Sequence, residues 1–326
     1  SNMAAATKTM KAILCTKIGE PKEVLKLTEL PIPDLNACKN KAKAVLVKVL
    51  FASINPIDYK MITGLMGVVN PKKPPFVAGR DFSGRVVAKG DDPSLRWLNV
   101  GDLVYGQCWY ADQGSFAEYC LCESVNVQPM PKNLSPLQAA AIPLVSQTSY
   151  QAMLKMQLKK GDKLLILGGS TATGLAAIQM AKRFIECEEV VVTSSQIDLC
   201  KAMGADRVIN YRADEVWHKE CKDYAFDAIY DCVGGQESWD LCRSQGVLKK
   251  DGWFVTIVGD EQHGSEPITG GKLVGLALGI ANRKFWGGVG YQRYDLLVAN
   301  SKKNLRDVSS LIAAGKLKAV LDPESP

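Results

Sequence analysis

Hydrophobic residues in the first part of the chain are grouped in short runs that are rich in β-branched side chains. Glycines and the proline-rich turns around Pro31 and Pro74 separate these runs. Such a pattern is typical of short strands joined by turns. We predict strands at 10–15, 44–49, 84–88 and 101–106. The residues up to about 125 are therefore expected to form a small, irregular, partly closed β-domain.

The pattern changes after about residue 125, where apolar runs alternate with helical segments. Ser135 followed by Pro136 predicts a helix start. Beyond it we predict strands at 163–167, 190–193, 207–211, 226–231 and 253–258, and helices at 174–183, 197–203 and 305–314. Continuous apolar strands that alternate with helices form a parallel sheet covered on both faces. A last strand at 315–321 ends the pattern abruptly, and we expect that residues are missing after it.

The most informative segment is the loop from Gly168 to Gly174, which joins an apolar strand to an amphipathic helix. Small residues at such a turn let main-chain N–H groups approach a pyrophosphate, and the helix dipole favours its charge. Gly174 matches the third glycine of the dinucleotide-binding pattern, but Thr171 and Ala172 replace the glycines nearest the phosphate. The loop predicts a dinucleotide site, and a tight turn without a ligand is the alternative.

The end of the next strand indicates which dinucleotide binds. A protein that reads the ribose 2′-hydroxyl of NADH places Asp or Glu there. This chain has Thr193, Ser194 and Ser195 instead, whose small hydroxyl groups leave room for a 2′-phosphate. We therefore predict NADPH rather than NADH, with Arg212 or Lys201 as candidate cations beside the phosphate.

Two later predicted strands also end in glycine-containing segments, at 231–235 and 257–260. Ligands of open α/β sheets bind at the carboxyl ends of the strands. A rival hypothesis interprets Ser170, between small residues, as the nucleophile of an α/β-hydrolase. That hypothesis needs a downstream acid and then a histidine, and Asp231 followed by His263 has the required order.

Composition bounds the remaining classes. A chain of 326 residues, with 47% hydrophobic and 23% charged residues, is typical of a globular protein of about two domains. The net charge of +6 comes from scattered basic residues, which disfavours nucleic acid as a partner. No apolar run is long enough to span a membrane. Ten cysteines without regular spacing indicate reduced, partly buried thiols, and two histidines disfavour chemistry that needs several imidazoles.

Several segments, in this order, carry a resemblance to a known family. They are 19–25, 55–60, 75–84, 114–119, 140–144, 148–152 and 203–206. Through them the chain resembles the medium-chain dehydrogenase/reductase superfamily, in its zinc-free quinone oxidoreductase (zeta-crystallin-like) branch. The loop variant at 168–174 is similar to that of some enoyl reductases in the same superfamily.

The resemblance implies an α/β protein of two domains. A GroES-like, partly open β-barrel catalytic domain would comprise residues 1–127, completed by about 315–326. A Rossmann domain, with a doubly wound parallel sheet that binds NADPH, would comprise 128–314. Relatives commonly form homodimers by sheet extension, so a homodimer is expected. We expect a cytoplasmic location, and an organellar location after removal of a transit peptide stays open.

Three departures from zinc-dependent relatives predict that no metal is bound. Asn55 stands in the place of the first cysteine ligand, Arg80 in the place of the histidine and Leu144 in the place of the other cysteine. The four-cysteine structural lobe is absent as well. A catalytic zinc needs three protein ligands. The substrate is therefore expected to be polarised by hydrogen bonds.

The resemblance and the loop arguments together assign the candidate site. Asn55, Asp58 and Lys60 are the candidate catalytic residues, with Lys60 placed to pair with Asp58 or to reach the cofactor. A capped turn is the structural alternative for Asn55 to Asp58. The candidate cofactor-binding residues are Thr148, Gly169, Ser170, Thr171, Ala172, Thr173, Ser194, Ser195, Tyr211, Cys232, Val233, Val258, Gly259, Phe285 and Trp286. Tyr59 and Tyr110 are candidate donors to a carbonyl group, and Tyr291 a candidate for the far wall of the cleft.

These assignments predict hydride transfer from NADPH to a quinone or to the β-carbon of an α,β-unsaturated carbonyl compound. The protein would supply binding, orientation and local electrostatics. A protein that binds NADPH with little turnover is the alternative, because the same pocket would serve both.

Overall fold

The structure is a computed structural model that describes residues 8–67, 73–108, 113–213, 216–259, 269–281, 293–296 and 304–322. Its first part is antiparallel. The strands are β1 Thr9–Cys15, β2 Leu25–Pro31, β3 Ala44–Ser53, β4 Phe76–Val77, β5 Asp81–Lys89, β6 Leu103–Gln107, β7 Tyr119–Glu123 and β8 Val127–Pro129, with helices α1 Pro21–Val24 and α2 Pro56–Ile62. They pair in the orders β2-β1-β4 and β7-β3-β5-β6-β8. The four predicted strands are confirmed.

The second part alternates strands with helices, as predicted. Its elements are α3 Pro136–Ala140, α4 Pro143–Met156, β9 Lys163–Leu167, α5 Ala172–Met180, β10 Glu189–Thr193, α6 Ile197–Met203, β11 Arg207–Ile209, α7 Trp217–Glu220, β12 Phe226–Asp231, α8 Gln236–Ser244, β13 Leu248–Thr256, α9 Gly270–Ala281, β14 Arg293–Leu296 and α10 Leu305–Ala313. A π-helical turn, Ala181–Ile185, continues α5. No helix in the described ranges is both long and apolar enough to span a bilayer.

In the described ranges, the sheet of the second part consists of six parallel strands in the order β11-β10-β9-β12-β13-β14. The chain builds outward from β9 in one direction and then returns to build outward on the other side. Such a reversal creates a crevice at the carboxyl ends of the two central strands, where ligands of open α/β sheets bind. Here those strands are β9 and β12.

Alternate residues of the central strands enter two different hydrophobic cores. Leu164 and Ile166 of β9 pack in one core with residues of α4 and α5. Leu165 and Leu167 pack in the other, with Trp239 of α8. The sheet is therefore covered on both faces, which explains why its strands are apolar along their whole length.

The prediction of a strand at 315–321 is wrong. The chain beyond α10 has no regular secondary structure up to residue 322. The buried side chain of Gln179 on α5 binds this segment: its Oε1 accepts from Lys318 N at 2.9 Å, and its Nε2 donates to Lys318 O at 3.2 Å. One carboxamide satisfies both main-chain groups of Lys318, as a neighbouring strand would, so the segment needs no strand partner there.

Helices α3, α4 and α10 connect the two parts of the molecule. Ser83 Oγ of β5 donates to the carbonyl of Pro136 at the start of α3, at 2.6 Å. The hydroxyl groups of Tyr105 on β6 and Ser309 on α10 lie 2.6 Å apart. Leu144 N, in the first turn of α4, donates to Asp81 Oδ2 of β5 at 2.9 Å, so the start of α4 lies against the antiparallel sheet.

Candidate functional site

The loop between β9 and α5 is shaped by glycines that the packing itself requires. Gly168 has a φ of +88°, and a Cβ there would lie 2.7 Å from Val233 Cγ2. A Cβ on Gly174 would lie 2.3 Å from the carbonyl oxygen of Gly168, so Gly174 lets α5 approach the end of β9. The role assigned to the third glycine is consistent with this contact. These requirements hold whether or not a ligand binds.

Thr171 caps α5 from within the loop. Its Oγ1 accepts from Gly174 N at 3.0 Å and donates to Gly168 O at 2.8 Å. Within the described ranges, the main-chain N–H groups of Ala172 and Thr173 have no acceptor. Two free donors at the positive end of a helix fit a diphosphate group. The residues present thus fit the phosphates of a dinucleotide, which the turn-only alternative leaves unexplained.

The end of β10 offers hydroxyl groups and no carboxylate. Thr193 Oγ1 accepts from Gly168 N at 2.9 Å and so ties β10 to the phosphate loop. Ser194 is buried and its Oγ accepts from Gln196 N at 2.9 Å, which leaves partly buried Ser195 as the more accessible hydroxyl. This environment fits a ribose 2′-phosphate better than a free 2′-hydroxyl.

An aromatic ring and a guanidinium group lie together beyond β11. Tyr211 is 53% exposed, and the guanidinium carbon of Arg212 lies 5.9 Å from the centroid of its ring. Arg212 and Lys201, which is an exposed residue on α6, stay the candidate cations for a 2′-phosphate.

Strands β12 and β13 end in the same type of turn, in which one side-chain oxygen accepts from the N–H groups two and three residues later. Asp231 Oδ1 accepts from Val233 N and Gly234 N, at 3.0 and 2.9 Å. The hydroxyl of Thr256, its partner in the sheet, accepts from Val258 N and Gly259 N at 3.2 and 3.0 Å. Burial raises the pKa of Asp231, and its main-chain hydrogen bonds oppose this effect.

The two turns hold four predicted cofactor-binding residues at the carboxyl edge of the sheet. These are Cys232, Val233, Val258 and Gly259. Asp231 uses its Oδ1 to hold one of these turns. Its carboxylate therefore has a structural role that is independent of the hydrolase hypothesis, in which it would be the catalytic acid. His263, the base in that hypothesis, lies outside the described residues, as do Phe285, Trp286, Tyr291 and Tyr110.

Helix α4 is tied to the start of α5. Ser149 Oγ donates to Thr173 O at 2.8 Å. The preceding residue, Thr148, is buried with 6% of its surface exposed. This contact brings the helix that carries Thr148 next to the phosphate loop.

A buried carboxylate that the sequence reasoning missed lies beside Asn55. Asp81 on β5 is fully buried. Its Oδ2 accepts from Asn55 Nδ2 at 3.2 Å and from Leu144 N at 2.9 Å, and its Oδ1 accepts from Gln107 Nε2 at 2.9 Å. Burial raises the pKa of Asp81 to about 7, although its hydrogen bonds lower it. No local sequence signal identifies Asp81, because its partner Leu144 lies 63 residues away along the chain.

Asp58 lies in the same cluster. Its Oδ2 accepts from Asn55 N at 2.8 Å, while its buried Oδ1 has no hydrogen-bond partner in the ranges described. Burial raises the pKa of Asp58 to about 6, against the Asn55 hydrogen bond and the charge of Arg80. The guanidinium of Arg80 also donates to Cys108 O at 3.2 Å and to Met61 Sδ at 2.8 Å.

Lys60 and Tyr59 lie on α2 but not in this cluster's hydrogen bonds. Among the described ion pairs none joins Lys60 to Asp58, and the cation whose charge acts on Asp58 is Arg80. Tyr59 is 47% exposed. The described parts of the chain contain no group of three His, Cys, Asp or Glu side chains that could hold a metal ion. All ten cysteines are free, as the sequence predicted, and all are buried, which is more than the partial burial expected.

Three features define a dinucleotide-binding α/β protein. They are the crevice at the carboxyl ends of β9 and β12, the N–H groups at the start of α5 that have no acceptor in the described ranges, and the adjoining antiparallel β-structure. Two family models match the chain: Alcohol dehydrogenase GroES-like domain over residues 41–132, and Zinc-binding dehydrogenase over 172–295. The chain belongs to the medium-chain dehydrogenase/reductase superfamily, in its zinc-free quinone oxidoreductase-like branch.

Relatives align over nearly the whole chain. A 2-methylene-furan-3-one reductase of Solanum lycopersicum is 30% identical over 100% of this chain and 77% of the relative. A chloroplastic NADPH-dependent alkenal/one oxidoreductase of Arabidopsis thaliana is 28% identical over 99% of this chain and 74% of the relative. The structure of the quinone oxidoreductase from Coxiella burnetii is 30% identical, with a TM-score of 0.73 over 97% of this chain and 91% of that one. These likenesses confirm the predicted family and fold.

Proposed function

We propose that this protein is an NADPH-dependent oxidoreductase that transfers hydride to a quinone or to the C=C bond of an α,β-unsaturated carbonyl compound. The observation that carries the proposal is the start of α5 at the carboxyl end of β9. There two N–H groups have no acceptor in the described ranges, and the neighbouring strand β10 ends without a carboxylate. The names of the tomato, Arabidopsis and Coxiella relatives support both the coenzyme and the acceptor classes.

In the proposed reaction NADPH supplies the hydride, and the protein binds and orients both reactants. The phosphates would lie against Ala172 N and Thr173 N, and the 2′-phosphate beside Ser195 and Arg212. Negative charge develops on the substrate oxygen as hydride reaches carbon, and a hydrogen-bond donor stabilises it. One N–H of the Asn55 carboxamide is bound to Asp81, so the second is the donor we assign to that oxygen.

The reaction also consumes one proton. Asp58, whose pKa burial raises to about 6, is a carboxyl group in this cluster that can hold a proton in weakly acidic solution. Asn55, Asp58 and Lys60 remain our proposed catalytic residues. No step in this scheme requires a zinc ion.

The test is NADPH oxidation, followed by absorbance, with a panel of quinones and enals, and with NADH as the coenzyme control. A rate that depends on the acceptor, together with a melting temperature raised more by NADPH than by NADH, is the expected result. A coenzyme-dependent rise in melting temperature without any acceptor-dependent rate would replace the proposal with that of a coenzyme-binding protein. Esterase activity abolished by Ser170→Ala would favour the hydrolase.

Three further features belong to the proposal. We infer a catalytic domain of residues 1–127, completed by about 315–326, and a coenzyme domain of residues 128–314. The separate matches at 41–132 and 172–295 support the division into two domains but do not reach the last segment. We also propose a homodimer formed by sheet extension, which the resemblance implies, and a cytoplasmic location, with an organellar location after removal of a transit peptide as the alternative. Sedimentation equilibrium tests the dimer, and a monomer at micromolar concentration would contradict it.

A further inference from the structure

A closed ring of hydrogen bonds lies buried between the antiparallel sheet and α4. Asp81 Oδ1 accepts from Gln107 Nε2, and Gln107 Oε1 accepts from Gln147 Nε2, each at 2.9 Å. Gln147 Nε2 also donates to Pro143 O at 2.9 Å, and the next residue, Leu144, donates its N–H back to Asp81 Oδ2 at 2.9 Å. The side chains of Asp81, Gln107 and Gln147 are at most 3% exposed.

Each bond of the ring has a clear physical basis. Leu144 is in the first turn of α4, where its N–H has no partner within the helix. The carboxylate of Asp81 on β5 accepts this N–H, and its negative charge interacts favourably with the positive end of the helix dipole. A carboxylate can accept several N–H groups at once, whereas a carboxamide has only one acceptor oxygen. Asp81 is therefore the residue type that can receive Asn55, Leu144 and Gln107 together.

The ring reaches both reactants of the proposed reaction. Asn55, the proposed donor to the substrate oxygen, is attached to it through Asp81. Thr148, a candidate cofactor-binding residue, follows Gln147 directly on α4. The resemblance implies that in zinc-dependent relatives a metal joins the positions of Asn55, Arg80 and Leu144. In this chain the carboxylate of Asp81 joins Asn55 to Leu144.

We propose that Asp81 is a positioning residue that fixes the Asn55 carboxamide relative to α4, and thereby the electron-poor carbon of the substrate relative to the nicotinamide. This inference rests on the proposed function. Hydride transfer needs reacting atoms at about 3–3.5 Å, and a misplacement of about 1 Å can cost about a hundredfold in rate. Loss of the ring should therefore act on kcat more than on coenzyme binding.

The test compares Asp81→Asn with Ser83→Ala. Ser83 lies two residues away on β5, is equally buried, and its hydroxyl donates to Pro136 O without entering the ring. In Asp81→Asn the new NH2 group faces at least one N–H donor, so the ring breaks. We expect kcat to fall at least about tenfold, the Kd for NADPH to stay within about twofold, and the isotope effect with NADPH deuterated at the transferred position to rise. Ser83→Ala should keep the wild-type kcat and isotope effect.

A second variant, Gln147→Met, breaks the ring away from Asn55 and covers the case in which Asp81→Asn fails to fold. It should also lower kcat and raise the isotope effect. Wild-type kcat and isotope effect in Asp81→Asn or in folded Gln147→Met would overturn the inference, as would an equal loss of kcat in Ser83→Ala. If the wild type itself shows no acceptor-dependent NADPH oxidation, the proposed function fails and this inference with it; a normal wild-type rate separates the two.

Discussion

Burial controls the charge of the two carboxyl groups that bind Asn55. It raises the pKa of Asp58 to about 6 and that of Asp81 to about 7, from the ordinary value of 3.8. Between the ordinary and the raised values the folded protein holds protons that the unfolded chain has released. Stability contributed by these groups is therefore fully present below about pH 4 and is lost as the pH rises through about 6 and 7.

This decrease of stability with rising pH gives a prediction for Asp58→Asn, a variant that keeps an acceptor for Asn55 N but cannot ionise. In the wild type each group should lower the free energy of unfolding by up to about 1.4 kcal/mol per pH unit within its interval. The variant should show a shallower decrease between pH 4 and 6 in urea unfolding. Asp102→Asn is the control, because Asp102 accepts the same type of bond, from Asn99 N at 2.8 Å, without being buried. An unchanged slope in Asp58→Asn would contradict the prediction.

The choice of coenzyme is also decided by single residues. Ser195→Asp would place a carboxylate at the end of β10, where it repels a 2′-phosphate and can bind the 2′-hydroxyl of NADH. We expect the ratio of the Kd values for NADPH and NADH to rise by at least about tenfold, as for about 1.4 kcal/mol. Isothermal titration calorimetry measures both constants. Ser195→Asn, of the same size without the charge, should change the ratio far less, and equal ratios in the two variants would refute the electrostatic argument.

At the level of elements, the start of α5 allows one N–H group to be deleted alone. Ala172 is the first helical residue, a position that tolerates proline, and the preceding Thr171 has φ −66° and ψ 154°, which a following proline requires. Ala172→Pro should therefore leave the helix intact. Loss of one hydrogen bond to a charged group, about 1.5–3 kcal/mol, should weaken NADPH binding about ten- to a hundredfold.

Ala172→Ser, which keeps the N–H, is the matched control for that variant. Fluorescence titration gives the Kd, and the melting temperature without ligand checks the fold. A wild-type Kd for NADPH in a correctly folded Ala172→Pro protein would show that the diphosphate does not lie at this helix end.

The elements were predictable wherever local signals sufficed. Helix α6 lies at 197–203 as predicted, because Gly204, with a φ of +118°, ends it. The segment at 315–321 has a strand-like composition, but its partner is the side chain of Gln179 on a distant helix, which no local pattern reveals. Asp81 was missed for the same reason: it receives Leu144 N from 63 residues away, and only the fold brings them together. The residues chosen around Asn55 came from the family resemblance, not from periodicity.

At the scale of the whole molecule, α10 holds the two parts together through a pair of hydroxyl groups. Tyr105 of β6 is fully buried, and its hydroxyl lies 2.6 Å from Ser309 Oγ. Ser309 Oγ is also within 2.9 Å of Leu305 O on its own helix. Burial raises the pKa of Tyr105, so the hydroxyl stays neutral and acts only through hydrogen bonding.

The two partners should therefore respond unequally to deletion. Tyr105→Phe leaves Ser309 with its bond to Leu305 and should cost about 1 kcal/mol, whereas Ser309→Ala leaves a buried phenol without its partner and should cost about 1–3 kcal/mol. The double variant should resemble Tyr105→Phe alone, because no unsatisfied group remains. Urea unfolding measures all three. Equal single losses that simply add in the double variant would show that the bond does not hold α10 to the antiparallel sheet.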